Sequence, residues 1–95
     1  MISFIVRLRF TPEDRASMAE TVRLLAAESR REEGCMTYIP HQQQDNPDVV
    51  VIYEQYRDEQ ALAAHRESVH FRKYAVSGLY QKMLDRTVEA LSALI

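Results

Sequence analysis

Three histidines, one strand carboxylate and a scatter of tyrosines and arginines are the residues of this chain whose types could do acid–base or anion-binding chemistry. His65 is the first candidate for a base. An imidazole titrates near neutrality, at about 6.5 when unperturbed, and His65 follows Ala61 and Leu62 at the end of one inward helix face, where a pocket wall would stand. The same position also suits a histidine that only packs and caps. His70 lies just after Ser68, a helix-capping residue, and a helix N-terminus disfavours imidazolium, so His70 reads as a neutral donor or acceptor, with capping or packing as the plainer role. Tyr53 and Glu54 are neighbours on one strand and must point to opposite faces, so they cannot act together. Glu54 could orient His65, yet pairing with Arg7, Arg9 or Arg57 is its more ordinary role. Arg7 and Arg9 share a face of the first strand and could bind an anionic oxygen or serve as interface ion-pair partners. Tyr38, His41, Tyr56 and Phe71 complete the candidate wall, the strand positions depending on register. On a continuous helix His65 and His70 would point about 140° apart, so no metal site is expected. Cys35 reads as a small buried hydrophobe.

What must position these groups can be read from the hydrophobic pattern. Ile2 to Phe10 alternates as a half-buried strand. Thr11, Pro12 and Asp14 announce a helix with a hydroxyl cap, Pro at its first position and acid in its first turn. Met18, Val22, Leu25, Ala26 and Ser29 form its inward stripe, and Gly34 supplies a left-handed stop, giving a helix from about Pro12 to Glu33. Cys35 to Gln44 is extended, and Asp45-Asn46-Pro47-Asp48 turns the chain into Val49 to Tyr56, a β-prone run that is apolar on both faces for its first half. Asp58 caps a short helix bearing Ala61, Leu62 and His65, and Ser68 caps a second with Phe71, Tyr74, Ala75, Gly78 and Leu79. Thr87 to Ile95 alternates as a last strand.

The order β, α, β, β, α, β over residues 1–95 predicts one α+β domain, a ferredoxin-like antiparallel sheet with helices on one face. The bare second face of so apolar a central strand calls for cover, and a two-fold copy of the chain supplies it, so a homodimer is expected. Twelve basic against fourteen acidic residues leave no electrostatic claim on a phosphate backbone, so nucleic acid is not an expected partner. Two glycines cannot build a dinucleotide or phosphate loop, which argues against nucleotide cofactors. No apolar run reaches the roughly 20 residues of a membrane span, and a lone cysteine with no export-type start fits a reducing cytoplasm.

Three linked segments carry a family signal: Glu33-Gly34-Cys35 with Tyr38, then Tyr53-Glu54-Gln55-Tyr56-Arg57-Asp58, then Ala61-Leu62-Ala63-Ala64-His65 with His70-Phe71. Together they resemble the antibiotic biosynthesis monooxygenase family, dimeric α+β barrels that include quinol monooxygenases. The resemblance implies two sheets meeting face to face and a pocket in each subunit between sheet and helices. It further implies oxygenation of a phenolic or quinol aromatic by dioxygen without metal, flavin or other cofactor, with a base, His65, forming the phenolate inside an apolar cavity. Many relatives carry Trp where Tyr56 stands, and this chain has none, which argues against the haem-degrading branch. The same resemblance covers an isomerase of a phosphorylated autoinducer-2 keto sugar, which would need a phosphate site that Arg7 and Arg9 could provide. A dimeric small-ligand binder without a competent base is the non-catalytic alternative.

Overall fold

The computed structural model describes residues 1–95. Four antiparallel strands form one sheet in the order β2-β3-β1-β4: β1 Ile2–Arg9, β2 Cys35–Gln42, β3 Val49–Tyr56 and β4 Asp85–Leu91. Helix α1 spans Arg15–Ser29 and α2 spans Glu59–Glu67. A π-helix, α3, spans Phe71–Leu79 and ends in an α-helical turn, Tyr80–Lys82. This is the ferredoxin-like α+β fold expected from the element order.

Alternation in the strands decides which face meets the helices. Phe4, Val6 and Leu8 of β1, Tyr38 of β2 and Val50, Ile52, Glu54 and Tyr56 of β3 are buried. Against them pack Met18, Val22, Leu25 and Ala26 of α1, Ala61 and Leu62 of α2, and Ala75 and Leu79 of α3. The stripe anticipated for α1 is the one that is buried, Ser29 included. On the other face Ile5, Val51 and Tyr53 are half-buried and Ile39 is exposed. A cross-strand hydrogen-bonded row lies beside them: Thr37 Oγ1 donates to Gln55 Oε1 at 2.6 Å, and Gln55 Nε2 donates to Ser3 Oγ at 3.1 Å.

Several boundaries differ from expectation for physical reasons. Pro12–Asp14 form a turn before α1, in which Thr11 Oγ1 accepts the Asp14 N–H at 3.3 Å; Asp14, not Thr11, sits at the N-cap. α1 stops at Ser29 because Arg30 to Gly34 turn back toward β2, with the Cys35 N–H donating to the Glu32 carbonyl at 3.2 Å. Gly34 is not the left-handed stop that was expected, since no glycine here has positive φ. Space, not torsion, requires it: a Cβ at Gly34 would lie 2.3 Å from the Ala61 Cβ. Its carbonyl also accepts the Arg57 N–H at 2.9 Å, locking the start of β2 to the end of β3. β2 ends at Gln42, and β4 begins two residues earlier than expected and ends at Leu91. Asp58 caps α2 as expected, accepting the Ala61 N–H at 2.9 Å. No helix is long and apolar enough to cross a membrane.

Candidate active site

His65 occupies the last turn of α2, on the face that carries Ala61 and Leu62, and is only 3% exposed. Ser68 then breaks the helix: its Oγ donates to the His65 carbonyl at 2.7 Å and accepts the Phe71 N–H at 3.1 Å, closing one helix and opening the next. The break turns His70 back toward His65. Both imidazoles meet one carboxylate oxygen, Glu32 Oε2, from the turn after α1; the His65 Nδ1 contact is 2.9 Å, and His70 makes its contact through Nε2.

An ionised carboxylate only accepts, so each imidazole donates. That assigns the proton of His65 to Nδ1 and leaves Nε2 with its lone pair. Nε2 lies 3.9 Å from Glu54 Oε1, on the cavity side of the ring. Burial alone would push the Glu32 carboxyl up, but the hydrogen bonds from His65 and His70 outweigh it and hold it below the usual range. Glu32 Oε1 is buried without a partner.

Glu54 is the opposite case. Burial raises its carboxyl, and the hydrogen bond it accepts from the Tyr56 hydroxyl at 2.6 Å offsets this only in part. Tyr56 itself has no exposed surface, and burial next to Glu54 drives its phenol far above the ordinary value; Tyr38 is raised likewise. A carboxyl raised by folding stabilises the fold fully below its unfolded value of 4.5, and that contribution is lost as pH rises through the folded value. Glu54→Gln keeps an acceptor for Tyr56 and removes the charge. Its stability relative to the unsubstituted chain should therefore rise as pH increases above the unfolded value of 4.5 in urea unfolding; parallel pH curves would refute the assignment.

Aromatic rings wall the imidazole: Tyr56 at 5.0 Å between centroids, Tyr38 at 5.9 Å and Phe71, edge-on, at 5.1 Å. Tyr38 and Phe71 also bound a cavity between sheet and helices of about 50 Å3, or about 460 Å3 with its open mouth, lined chiefly by apolar side chains with Glu54, His65, Arg66 and Arg86 as the charged exceptions. The enclosed part holds a few water-sized molecules or dioxygen, so an aromatic ring must enter from the mouth.

Of the residues singled out in the sequence, His65, His70, Glu54, Tyr38, Tyr56 and Phe71 are thus brought together. Arg7, Arg9 and Tyr53 lie on the opposite face of the sheet, and His41 is exposed beside a separate shallow groove with Pro40, Gln42 and Arg23. The expected pairing of Glu54 with arginine does not occur. Arg7 binds Glu89 at 3.1 Å, Arg9 binds Asp85, and Arg57 reaches Asp58 and Glu33. Register explains this: β4 lays Asp85 directly opposite Arg9, on the face away from Glu54. The 140° divergence between His65 and His70 fails as well, because the helix is not continuous. Glu32, His65 and His70 place three donor atoms within 4.8 Å of one another. Two imidazoles and a carboxylate are a donor set of the kind that divalent transition metals take, although here both imidazole protons already point at Glu32. Sequence reasoning missed Glu32, Tyr80, Arg66 and Arg86. The acid pair before Gly34 was the only hint of Glu32, and its companion Glu33 is the solvent-exposed member.

The model of the family described as antibiotic biosynthesis monooxygenase matches residues 1–76. Among curated proteins, "Putative monooxygenase YcnE" of Bacillus subtilis is 28% identical over 78 residues, 82% of this chain and 82% of its own. "Putative monooxygenase Rv0793" of Mycobacterium tuberculosis is 29% identical over 73 residues, 77% of this chain and 71% of its own. Among solved structures, an antibiotic biosynthesis monooxygenase of Nitrosomonas europaea, so titled as putative, superposes with a TM-score of 0.92 at 26% identity over the full length of both chains. The fold and the cavity define an α+β protein with a cavity between sheet and helices into which a buried histidine projects. The chain belongs to the antibiotic biosynthesis monooxygenase family.

Proposed function

We propose that this protein is a cofactor-independent monooxygenase that oxidises a quinol or polyphenolic aromatic with dioxygen, with His65 as the base. Family membership and relatives named as monooxygenases support the reaction type. The single observation that carries the residue assignment is the buried His65 ring, tied at Nδ1 to Glu32 and presenting Nε2 to an apolar cavity.

In this reading the substrate hydroxyl gives its proton to Nε2, and the imidazolium is stabilised by Glu32. The electron-rich phenolate then reduces dioxygen. One oxygen atom enters the ring and the other leaves as water, so a hydroquinone becomes a hydroxyquinone and the substrate supplies all four electrons. The apolar walls keep water from the radical pair. Glu54 lines the cavity and is held from behind by the Tyr56 hydroxyl. Arg7 and Arg9 lie on the other face, paired with Glu89 and Asp85, so they give no support to the isomerase alternative.

The working species in this proposal is a homodimer whose sheets meet through the open face, where Ile5, Ile39, Val51 and Tyr53 form an apolar centre. Size-fractionated protein assayed in an oxygen electrode with a panel of quinols should show uptake that follows the two-chain species. Uptake absent throughout the panel would defeat the oxygenase reading, and activity confined to single chains would defeat the dimer.

A further inference from the structure

The cavity is apolar within but has two cations at its mouth. Arg66 follows His65 in the last turn of α2, and Arg86 projects from β4 on the helix-facing side, opposite Leu8. Neither guanidinium is within ion-pair distance of a carboxylate, whereas the other arginines of the sheet are matched by acids: Arg7 with Glu89, Arg9 with Asp85. The strand that carries Arg86 therefore places both its acids on the open face and leaves its one base facing the cavity.

Arg86 is also held in place. Its guanidinium stands 5.5 Å over the Tyr80 ring, Tyr80 meets Phe71 edge-on at 6.1 Å, and Phe71 meets His65 at 5.1 Å. A row of rings thus runs from the base to the cation, and a flat ligand lying along it would have a hydroxyl at one end and its far substituent at the other. The only carboxylate of the cavity, Glu54, is buried and takes the Tyr56 hydroxyl; Arg86 and Arg66 act on its charge but do not reach ion-pair distance of it.

We propose that the substrate is an aromatic bearing an anionic substituent, a carboxylate or a phosphate ester, held by Arg86 and Arg66 at the mouth while its hydroxyl meets His65. This rests on the reading of the cavity as the substrate site. Guanidinium groups bind both kinds of anion through paired hydrogen bonds, so the two share one recognition chemistry.

The test is calorimetric titration of the full chain with 2,5-dihydroxybenzoate, its methyl ester and 4-hydroxyphenyl phosphate. The two anions should bind at least about tenfold more tightly than the ester, and the tighter of them identifies the substituent. Arg86→Gln and Arg66→Gln, both at exposed positions, should each weaken the anions about fivefold to tenfold and change the ester by less than about twofold. Equal binding of anions and ester overturns the anion assignment and leaves the cavity reading intact. An anion preference that survives in both variants overturns the assignment to these arginines. Absence of binding by all three ligands removes the proposal together with the cavity reading beneath it.

Discussion

Oxygen uptake by the His65→Gln chain is expected to fall by about 10²- to 10⁴-fold, the range typical of losing a positioned general base. Gln fills much of the imidazole volume and can still meet Glu32, so the thermal midpoint should move little by comparison. The loss should appear in kcat more than in KM, because a base that acts on the reacting hydroxyl contributes in the transition state. Glu32→Gln separates positioning from packing. The variant replaces an obligate acceptor by a group that can also donate, and the Nδ1–H tautomer of His65 is then no longer enforced. The His65 nitrogen shifts in NMR should report a single Nδ1–H form in the unsubstituted chain and a tautomer mixture in Glu32→Gln, with kcat reduced. Turnover of His65→Gln within about tenfold of the unsubstituted chain would place the base elsewhere, or return the protein to the class of ligand binders.

Gly34→Ala should be among the most destabilising single-methyl changes available in this chain. The added Cβ would sit 2.3 Å from the Ala61 Cβ and 3.4 Å from its Cα, and neither group is the end of a flexible side chain that could swing aside. The turn and α2 must separate. Overpacking of this kind costs about 3 kcal/mol, which for a domain of this size lowers the thermal midpoint by on the order of 15 °C. Function should suffer in the folded fraction too, because the displaced turn carries Glu32 and the displaced helix carries His65. Gly78→Ala is the internal comparison: its Cβ would meet Thr21 Cγ2 at 3.3 Å, and helical alanine gains what glycine lacks, so its stability should stay within about 1 kcal/mol. Equal behaviour of the two variants in urea unfolding would show that the close approach at Gly34 is not a constraint on the fold.

The two predictions meet in the loop from Arg30 to Gly34, the part of the molecule least readable in advance. Its backbone carries no periodic signal. Glu32 acquires its role only because the Ser68 break folds His70 back beside His65, and a helical wheel drawn through residues 59 to 79 would have separated the imidazoles. Gly34 does not end α1, which stops at Ser29; it is kept small by Ala61, a residue 27 positions along the chain, and local torsional preference plays no part.

The strand and helix positions follow from local pattern. Alternation in Ile2 to Phe10, the β-branched run from Val49 and the stripe Met18, Val22, Leu25, Ala26, Ser29 dictate β1, β3 and α1, because apolar periodicity of 2 or 3.6 leaves one way to bury each face. His65 as an inward-facing residue was legible for the same reason. Tertiary structure alone decided the partners. Whether Glu54 meets an arginine or a tyrosine, whether Arg7 faces a cavity or an edge-strand acid, and whether Arg86 points to solvent or to the cavity mouth all depend on strand order and register. Those are set by how separate faces fit together, and no local run of residues contains that fit.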